Sequence, residues 1–305
     1  MRIILMGQQA FGKATLEAYV DRGEDIVAVY CAPDKEGKPL DPVKEFALEK
    51  GLPVYQPSNF KDETVLDEMR ALNADLCVMA FVIIFVPEAA RDIPTHGSIC
   101  FHPSLLPLHR GPSSINWPII GGATKTGLTI FWPDDGLDEG EILLQKEVDI
   151  DPDDTLGTVY FNKIFPLGIE AMCESIDLVR DGKAPKIVQD DSLATYESWC
   201  KAADAEIDWS KSVDEVYNLI RGTNPQPGAW TKINGTVVNI YDSEKLPEAG
   251  GAPGEVMGSS SEGFSVAANG GQILIKRVRP AGQGKIAASE FFEAGGVAKG
   301  AVLGQ

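Results

Sequence analysis

Short apolar runs alternate with amphipathic stretches through the first half of the chain. Residues 2–6 (RIILM), apolar after Arg2, and the apolar run 26–31 have the length that buried strands use. Between them, residues 7–12 read as a turn and residues 13–22 as a helix. A second helix over residues 42–50 stops at Gly51, and a strand follows at 53–55. Val65, Leu66, Met69 and Leu72 then share one helical face ahead of a strand at 76–79. Residues 98–101 are the next strand, with His102 at its C-terminal end, and a helix is expected after Pro112-Ser113-Ser114. A strand at 127–132 enters the loop 133–140. A long amphipathic helix over 155–180 ends at Asp181-Gly182. Strands and helices alternating at these lengths predict an α/β fold, a Rossmann-like doubly wound parallel sheet.

The period changes further on. Residues 184–206 carry a weak pattern and read as a linker with local structure. Ser212 and Glu215 have the spacing of a capping box, since hydroxyl and carboxylate together satisfy orphan amides of a first helical turn. Beyond Pro225-Gln226-Pro227-Gly228 come strands at 229–233 and 237–241 joined by Asn234-Gly235. Another pair, at 263–268 and 273–278, is joined by Asn269-Gly270-Gly271. They predict a smaller C-terminal antiparallel barrel of OB type, with residues 250–263, rich in Gly and Ser, as a mobile loop. The expected division is residues 1–203 for a Rossmann-like catalytic domain and its linker, and 204–305 for the OB-like domain. No internal repeat is evident.

Charge narrows the function. With 27 Lys and Arg against 45 Asp and Glu, the chain of 305 residues has a formal charge of −18, a field that repels phosphate backbones. Nucleic-acid partners are therefore disfavoured. No run approaches the roughly 18 apolar residues of a membrane span, and the apolar start breaks at Gly7, too early for a signal peptide, so a cytoplasmic location without membrane partners is expected. The five cysteines are scattered without CxxC spacing, which suggests reduced thiols and no metal site.

Gly7 to Gly12 follow a strand and precede a helix, with Asp34 where a ribose-binding acid would stand. The middle glycine that lets a pyrophosphate approach is missing, so no NAD is expected on this chain. His102 and Asp138 are a sharper pair, both placed at or just beyond expected C-terminal strand ends on one rim of one sheet. An imidazole can donate to an oxyanion, and a nearby carboxylate can orient it or accept a proton. His96 and His109 better suit structural or solvent-exposed roles.

The motif His102-Pro103-Ser104-Leu105-Leu106-Pro107 with Arg110-Gly111, followed by Gly136-Leu137-Asp138-Glu139-Gly140, resembles the 10-formyltetrahydrofolate-dependent formyltransferase family. The likeness extends to Pro33-Asp34-Lys35, Gly51-Leu52-Pro53-Val54, Ile207-Asp208-Trp209 and the stretch from Asn224 to Trp230. It implies a formyltransferase domain joined to an OB-like domain, with His102 and Asp138 catalytic and 10-formyltetrahydrofolate as formyl donor. The pterin would lie against two loops, Ala80, Phe81, Val82, Ile83 and Phe85 in the first, and Asp134, Asp135, Gly136 and Leu137 in the second.

Members that formylate amines have Asn-x-His, the asparagine amide facing the formyl oxygen. Here Cys100 holds that position, and a thiol is a weak donor. The resemblance therefore leans to the branch of the N-terminal hydrolase domain of 10-formyltetrahydrofolate dehydrogenase, where an apolar residue tends to stand there. Ile115-Asn116-Trp117, residues 131–135 and residues 144–147 point the same way. In that branch the formyl group goes to water or to a carrier thiol, and the partners would be a phosphopantetheine-bearing carrier and an aldehyde-dehydrogenase domain. An N-formyltransferase for methionyl-tRNA, an amino sugar or a small amine is the alternative, and a non-catalytic folate-binding module a second. A nucleophilic Cys100 would need its thiol pKa lowered, and nothing near it in the sequence clearly does so. From Tyr196 to Gln305 the balance is 10 Lys and Arg against 13 Asp and Glu, net −3, which leaves no electrostatic footprint for tRNA.

Overall fold

The apolar runs of the first half become strands of one sheet in the computed structural model, which describes residues 1–304. β1 (Arg2–Gly7), β2 (Asp25–Tyr30), β3 (Val54–Tyr55), β4 (Leu76–Ala80), β5 (Ser98–His102), β6 (Lys125–Phe131) and β7 (Ile142–Asp149) line up as β3-β2-β1-β4-β5-β6-β7. The first five are mutually parallel. The order reverses between β1 and β4, which is where open sheets of this kind form a crevice for ligands. Residues Ile3 to Met6 are almost wholly buried, as a strand covered on both faces requires.

The helices are α1 (Gln9–Asp21), α2 (Pro42–Glu49), α3 (Glu63–Ala71), α4 (Glu88–Arg91), α5 (Asn116–Ile120), α6 (Leu156–Thr158), α7 (Phe165–Arg180), α8 (Val213–Gly222) and α9 (Ala288–Glu293). α1 starts at Gln9, earlier than the turn expected over 7–12. The Gln9 N–H donates to the Asp41 carboxylate at 2.9 Å, a cap supplied from far along the chain. Gly12 therefore lies inside the helix, and Gly7 is needed for packing: a Cβ there would sit 2.7 Å from the Ala80 carbonyl oxygen.

Three further expectations are corrected. β6 runs antiparallel to β5, with Cys100 opposite Phe131 and His102 opposite Thr129, so its end does not reach the rim where β5 ends. The single helix expected over 155–180 is three segments, α6, a π-helical stretch at Val159–Ile164, and α7. Pro166 has no N–H for the carbonyl four residues back, so the regular ladder cannot continue through it. Finally, the Gly- and Ser-rich loop contains the strand Val256–Ser260, whose exposed polar end pairs with buried neighbours.

The chain divides into two compact units. The first combines Met1–Gly111, Gly127–Glu147 and Lys163–Tyr196. The second combines Pro112–Thr126, Val148–Asn162 and the chain from Glu197 on. In the second unit, β8 (Ala229–Ile233), β9 (Thr236–Ile240), β10 (Ser243–Leu246), β11 (Val256–Ser260), β12 (Gly263–Ala268), β13 (Gly271–Ile275), β14 (Arg277–Pro280) and β15 (Ile286–Ala287) make two four-stranded antiparallel sheets, β10-β13-β12-β11 and β15-β14-β9-β8. Asn234 and Gly235 both have positive φ, 50° and 74°, the conformation a two-residue hairpin turn requires. α8 opens on the expected box, Ser212 Oγ accepting from Glu215 N–H at 3.2 Å and the Glu215 carboxylate accepting from Ser212 N–H at 3.0 Å. Val216 and Ile220 then join Ile240, Val266 and Ile273 in one buried cluster. Among the described residues no helix is long and apolar enough to cross a membrane.

Candidate active site

The period of β5 puts Ile99 and Phe101 on one face and Cys100 and His102 on the other. From behind, Phe101 stacks on Phe11 with ring centroids 4.2 Å apart, and Phe11 meets Phe165 edge-on at 5.4 Å. Gly168 of α7 permits this approach, since a Cβ there would lie 2.8 Å from the Phe101 ring. The strand that carries His102 is thus anchored by an aromatic cluster on its opposite face.

His102 is buried, and its Nε2 lies 2.9 Å from the His109 carbonyl oxygen. A carbonyl can only accept, so Nε2 carries a proton and Nδ1 is the nitrogen left for chemistry. Nδ1 is 3.6 Å from Asp138 Oδ2, facing the carboxylate but too far for a direct hydrogen bond. The same Oδ2 accepts from the Gly111 N–H at 2.9 Å, which aims the carboxylate. His109 itself has a positive φ of 58°, and its N–H donates to Thr195 Oγ1 at 2.8 Å. Ser104 Oγ donates to the Leu108 carbonyl at 2.6 Å, which ties the signature turn to itself.

Asp138 comes from the loop after β6. That loop is closed at its base, where Trp132 N–H donates to the Glu141 carbonyl at 2.8 Å, and Gly140 sits so tightly that a Cβ would fall 1.7 Å from the Trp132 carbonyl oxygen. Asp138 reaches His102 because this loop folds back, not because two strand ends share a rim.

Cys100 is partly buried. Its desolvation, reinforced by the Asp138 carboxylate, pushes the thiol pKa well up, so the sulfur stays protonated at neutral pH. Its Sγ lies 3.7 Å from the Phe101 carbonyl oxygen.

The two loops expected around a pterin line different cavities. Ala80 is buried at the end of β4, and Phe81 follows it at φ 63°, a strained conformation for an aromatic residue. Phe81, Val82 and Ile83 line a crevice of about 20 Å³ with Gly7, Gln8 and Cys31 beside β1. Ile83 and Phe85 are mostly exposed. Asp134 lines a separate cavity of about 340 Å³ with Arg91, Ser98 and Trp132. The Asp134 carboxylate accepts from the Gly136 N–H at 3.0 Å, Leu137 is exposed, and Asp135 pairs with Arg91 at 2.7 Å. Arg91 also donates to the Val86 carbonyl at 2.8 Å, so one buried guanidinium bridges the flanks of both loops. Asp34, the residue where an NAD enzyme would bind ribose, is engaged by Lys44 and, at 2.9 Å, by the Gln56 amide. Among the described residues no cluster of three or more His, Cys, Asp or Glu could hold a metal ion.

Residues 1–176 match the formyl transferase family and residues 200–295 the formyl transferase C-terminal domain. The chain belongs to the formyl transferase family. The chain is 40% identical over 309 residues to the mitochondrial 10-formyltetrahydrofolate dehydrogenase of Homo sapiens, a match covering 97% of the chain and 33% of that protein. The chain thus spans about one third of the length of the dehydrogenase relatives it matches. It is also 38% identical over 309 residues to the methionyl-tRNA formyltransferase of Geotalea daltonii, covering 100% of the chain and 98% of that protein. Among solved structures, HypX from Aquifex aeolicus in complex with tetrahydrofolic acid shares its fold, with a TM-score of 0.66 at 17% identity over 95% of the chain and 46% of HypX.

Three residues that surround the site are not marked by the sequence patterns. Gln189 and Tyr196 lie in the stretch read as a linker, and Arg91 in a helix of four residues. No local pattern marks the first two; the need for them shows only in the burial of Arg110. Arg110, part of the signature, turns out to be fully buried, and a buried guanidinium demands acceptors that its own neighbours in sequence do not supply.

Proposed function

We propose that the chain removes the formyl group of 10-formyltetrahydrofolate, passing it to water to give tetrahydrofolate and formate, or to a carrier thiol. The observation that carries this reading is the Asp138 carboxylate held 3.6 Å from His102 Nδ1, with a thiol instead of an amide at position 100. Asp138 and His102 are the catalytic pair. Asp138 takes the proton of the attacking water as its oxygen bonds to the formyl carbon. The oxyanion that forms is met by a protonated His102 Nδ1, and the positive charge of the imidazolium balances the negative oxygen. Breaking the carbon–N10 bond then passes the proton from Asp138 to N10, and the formic acid released gives up its proton to water to become formate.

For the folate, the reading uses both loops. Ala80, Phe81, Val82, Ile83 and Phe85 offer apolar surface and main-chain groups beside one crevice, and Asp134, Asp135, Gly136 and Leu137, whose loop borders a separate cavity, offer further main-chain groups. The tetrahydrofolic acid in HypX and the names of the dehydrogenase relatives support that donor. All of these residues precede position 203, so we assign catalysis to residues 1–203 and a supporting role to 204–305. Five unpaired, scattered cysteines suit a reducing cytoplasm. Where the acceptor is a thiol, a phosphopantetheine-bearing carrier and an aldehyde-dehydrogenase domain are the partners this reading calls for.

A second reading, formylation of methionyl-tRNA, is favoured by the full-length match to the Geotalea daltonii enzyme. The formal charge of −18 and the lack of the amide at position 100 weigh against it. One experiment separates the two. The protein is incubated with 10-formyltetrahydrofolate alone, with a thiol acceptor, and with charged initiator tRNA, and folate and formyl products are followed together. Tetrahydrofolate and formate appearing without an amine acceptor support release. Turnover strictly dependent on charged tRNA replaces it with the second reading.

A further inference from the structure

Asp138 is held in an unfavourable way. Its φ of 56° lies in the left-handed region, which non-glycine residues seldom occupy, and it sits in a loop whose neighbours Asp135 and Leu137 are exposed. Something must keep it there. The Gln189 amide nitrogen donates to the carbonyl oxygens of Asp138, at 2.9 Å, and Gly140, at 2.7 Å. Gln189 cannot flip, because its Oε1 accepts from Arg110 Nε at 3.2 Å and Nη2 at 2.8 Å, and an inverted amide would set N–H groups against a guanidinium.

Arg110 has two further arms. Nη2 also donates to Asp191 at 2.7 Å, and Nη1 donates to the Tyr196 hydroxyl, which in turn donates to Glu139 Oε1 at 3.0 Å. Burial disfavours the guanidinium charge, but Asp191 and Tyr196 outweigh this, so its pKa is held above the ordinary value. The contacts of this buried cation thus converge on three consecutive residues, Asp138, Glu139 and Gly140.

We propose that Arg110, Gln189 and Tyr196 are positioning residues, a latch that holds the Asp138 carboxylate toward His102 during turnover. The proposal rests on the reading of Asp138 as proton acceptor. Gln189→Glu is the informative substitution: it keeps an acceptor for Arg110 and replaces the two donors to the loop by an oxygen that repels its carbonyls. Turnover of 10-formyltetrahydrofolate should fall about tenfold to a hundredfold, as small misplacements of a reacting group do, while the dissociation constant for tetrahydrofolate changes less than about threefold. Tyr196→Phe, at a largely exposed site, keeps the ring beside Arg110 and removes only the hydroxyl; a smaller fall in kcat, about threefold, is expected with KM unchanged. This second variant decides the matter if Gln189→Glu does not fold.

In an Asp138→Asn background, Gln189→Glu should change the residual rate by less than about twofold, because the latch acts through the carboxylate that is gone. Full additivity in that cycle, or kcat and folate affinity lost in equal measure, would reveal a merely structural role and overturn the proposal. So would a folded Gln189→Glu enzyme with parental kcat. Asp138→Asn alone tests the underlying reading: if it retains turnover, the proton-acceptor role fails; if it is inactive while Gln189→Glu is not, the latch alone fails.

Discussion

His102 and Asp138 arrive at one place by different physical routes. His102 is the last residue of β5, a strand buried on both sides, with Phe101 stacked on Phe11 one position before it. Asp138 stands on a loop with no regular structure of its own, clamped by the Trp132 N–H donating to the Glu141 main-chain carbonyl across the base, by the crowding at Gly140, and by the Gln189 amide. Packing therefore fixes the imidazole, and hydrogen bonds fix the carboxylate. The difference teaches where each half is vulnerable: the first to loss of core volume, the second to loss of single donors.

The largest effect should come from His102→Ala. Removing a positioned oxyanion donor costs about 10²–10³ in rate, so kcat for formyl release should fall by that much with the circular-dichroism spectrum unchanged. Activity within about threefold of the parent would show that the strand half carries no chemistry.

Asp138→Asn comes next. The amide keeps the shape of the side chain but cannot take the proton of an attacking water, and kcat should fall about a hundredfold while tetrahydrofolate still binds, as titration calorimetry would show. Equal loss of binding and turnover would place Asp138 among the groups that bind the folate.

Phe101→Ala tests the packing half directly. It opens a cavity against Phe11 and Gly168 and should cost about 3–5 kcal/mol of unfolding free energy in urea titrations. A loss below about 1 kcal/mol would mean that the strand is held by its ladder alone.

The smallest effect is expected at Cys100. Its thiol is kept protonated by burial and by the Asp138 carboxylate, so it should resist iodoacetamide at pH 8 in the folded protein, and Cys100→Ala should retain kcat within about threefold. Rapid alkylation with loss of turnover, or a formyl thioester detected on the parent by mass spectrometry, would make it a nucleophile instead.

How legible each half was follows the same division. The strand half was readable, since residues 99–101 are apolar, bounded by turn residues and followed by a histidine where parallel sheets expose their ends. The pairing with Asp138 was reached partly through a wrong premise. A strand at 127–132 looks the same whether it runs with β5 or against it, because the alternation of side chains does not depend on direction. Gln189 and Tyr196 escaped notice because they lie in a stretch without periodicity, where nothing local says which carbonyl an amide will meet.

By itself the sequence determined the alternation of strands and helices, the change to hairpins beyond Pro227, the capping box at Ser212 and Glu215, and the motif residues around His102 and Asp138. Each depends on neighbours a few positions apart, where the period of the chain dictates which side chains can meet. Only the tertiary structure decided that β6 reverses, that Asp41 starts α1, that residues 256–260 become an edge strand, and that Arg110 gathers Gln189 and Tyr196 beneath the loop of Asp138. Except for the edge strand, which pairs with residues 263–266 close by, these rest on hydrogen bonds between residues tens of positions apart, and such bonds exist only after burial has brought the partners together and left their polar groups in need of each other.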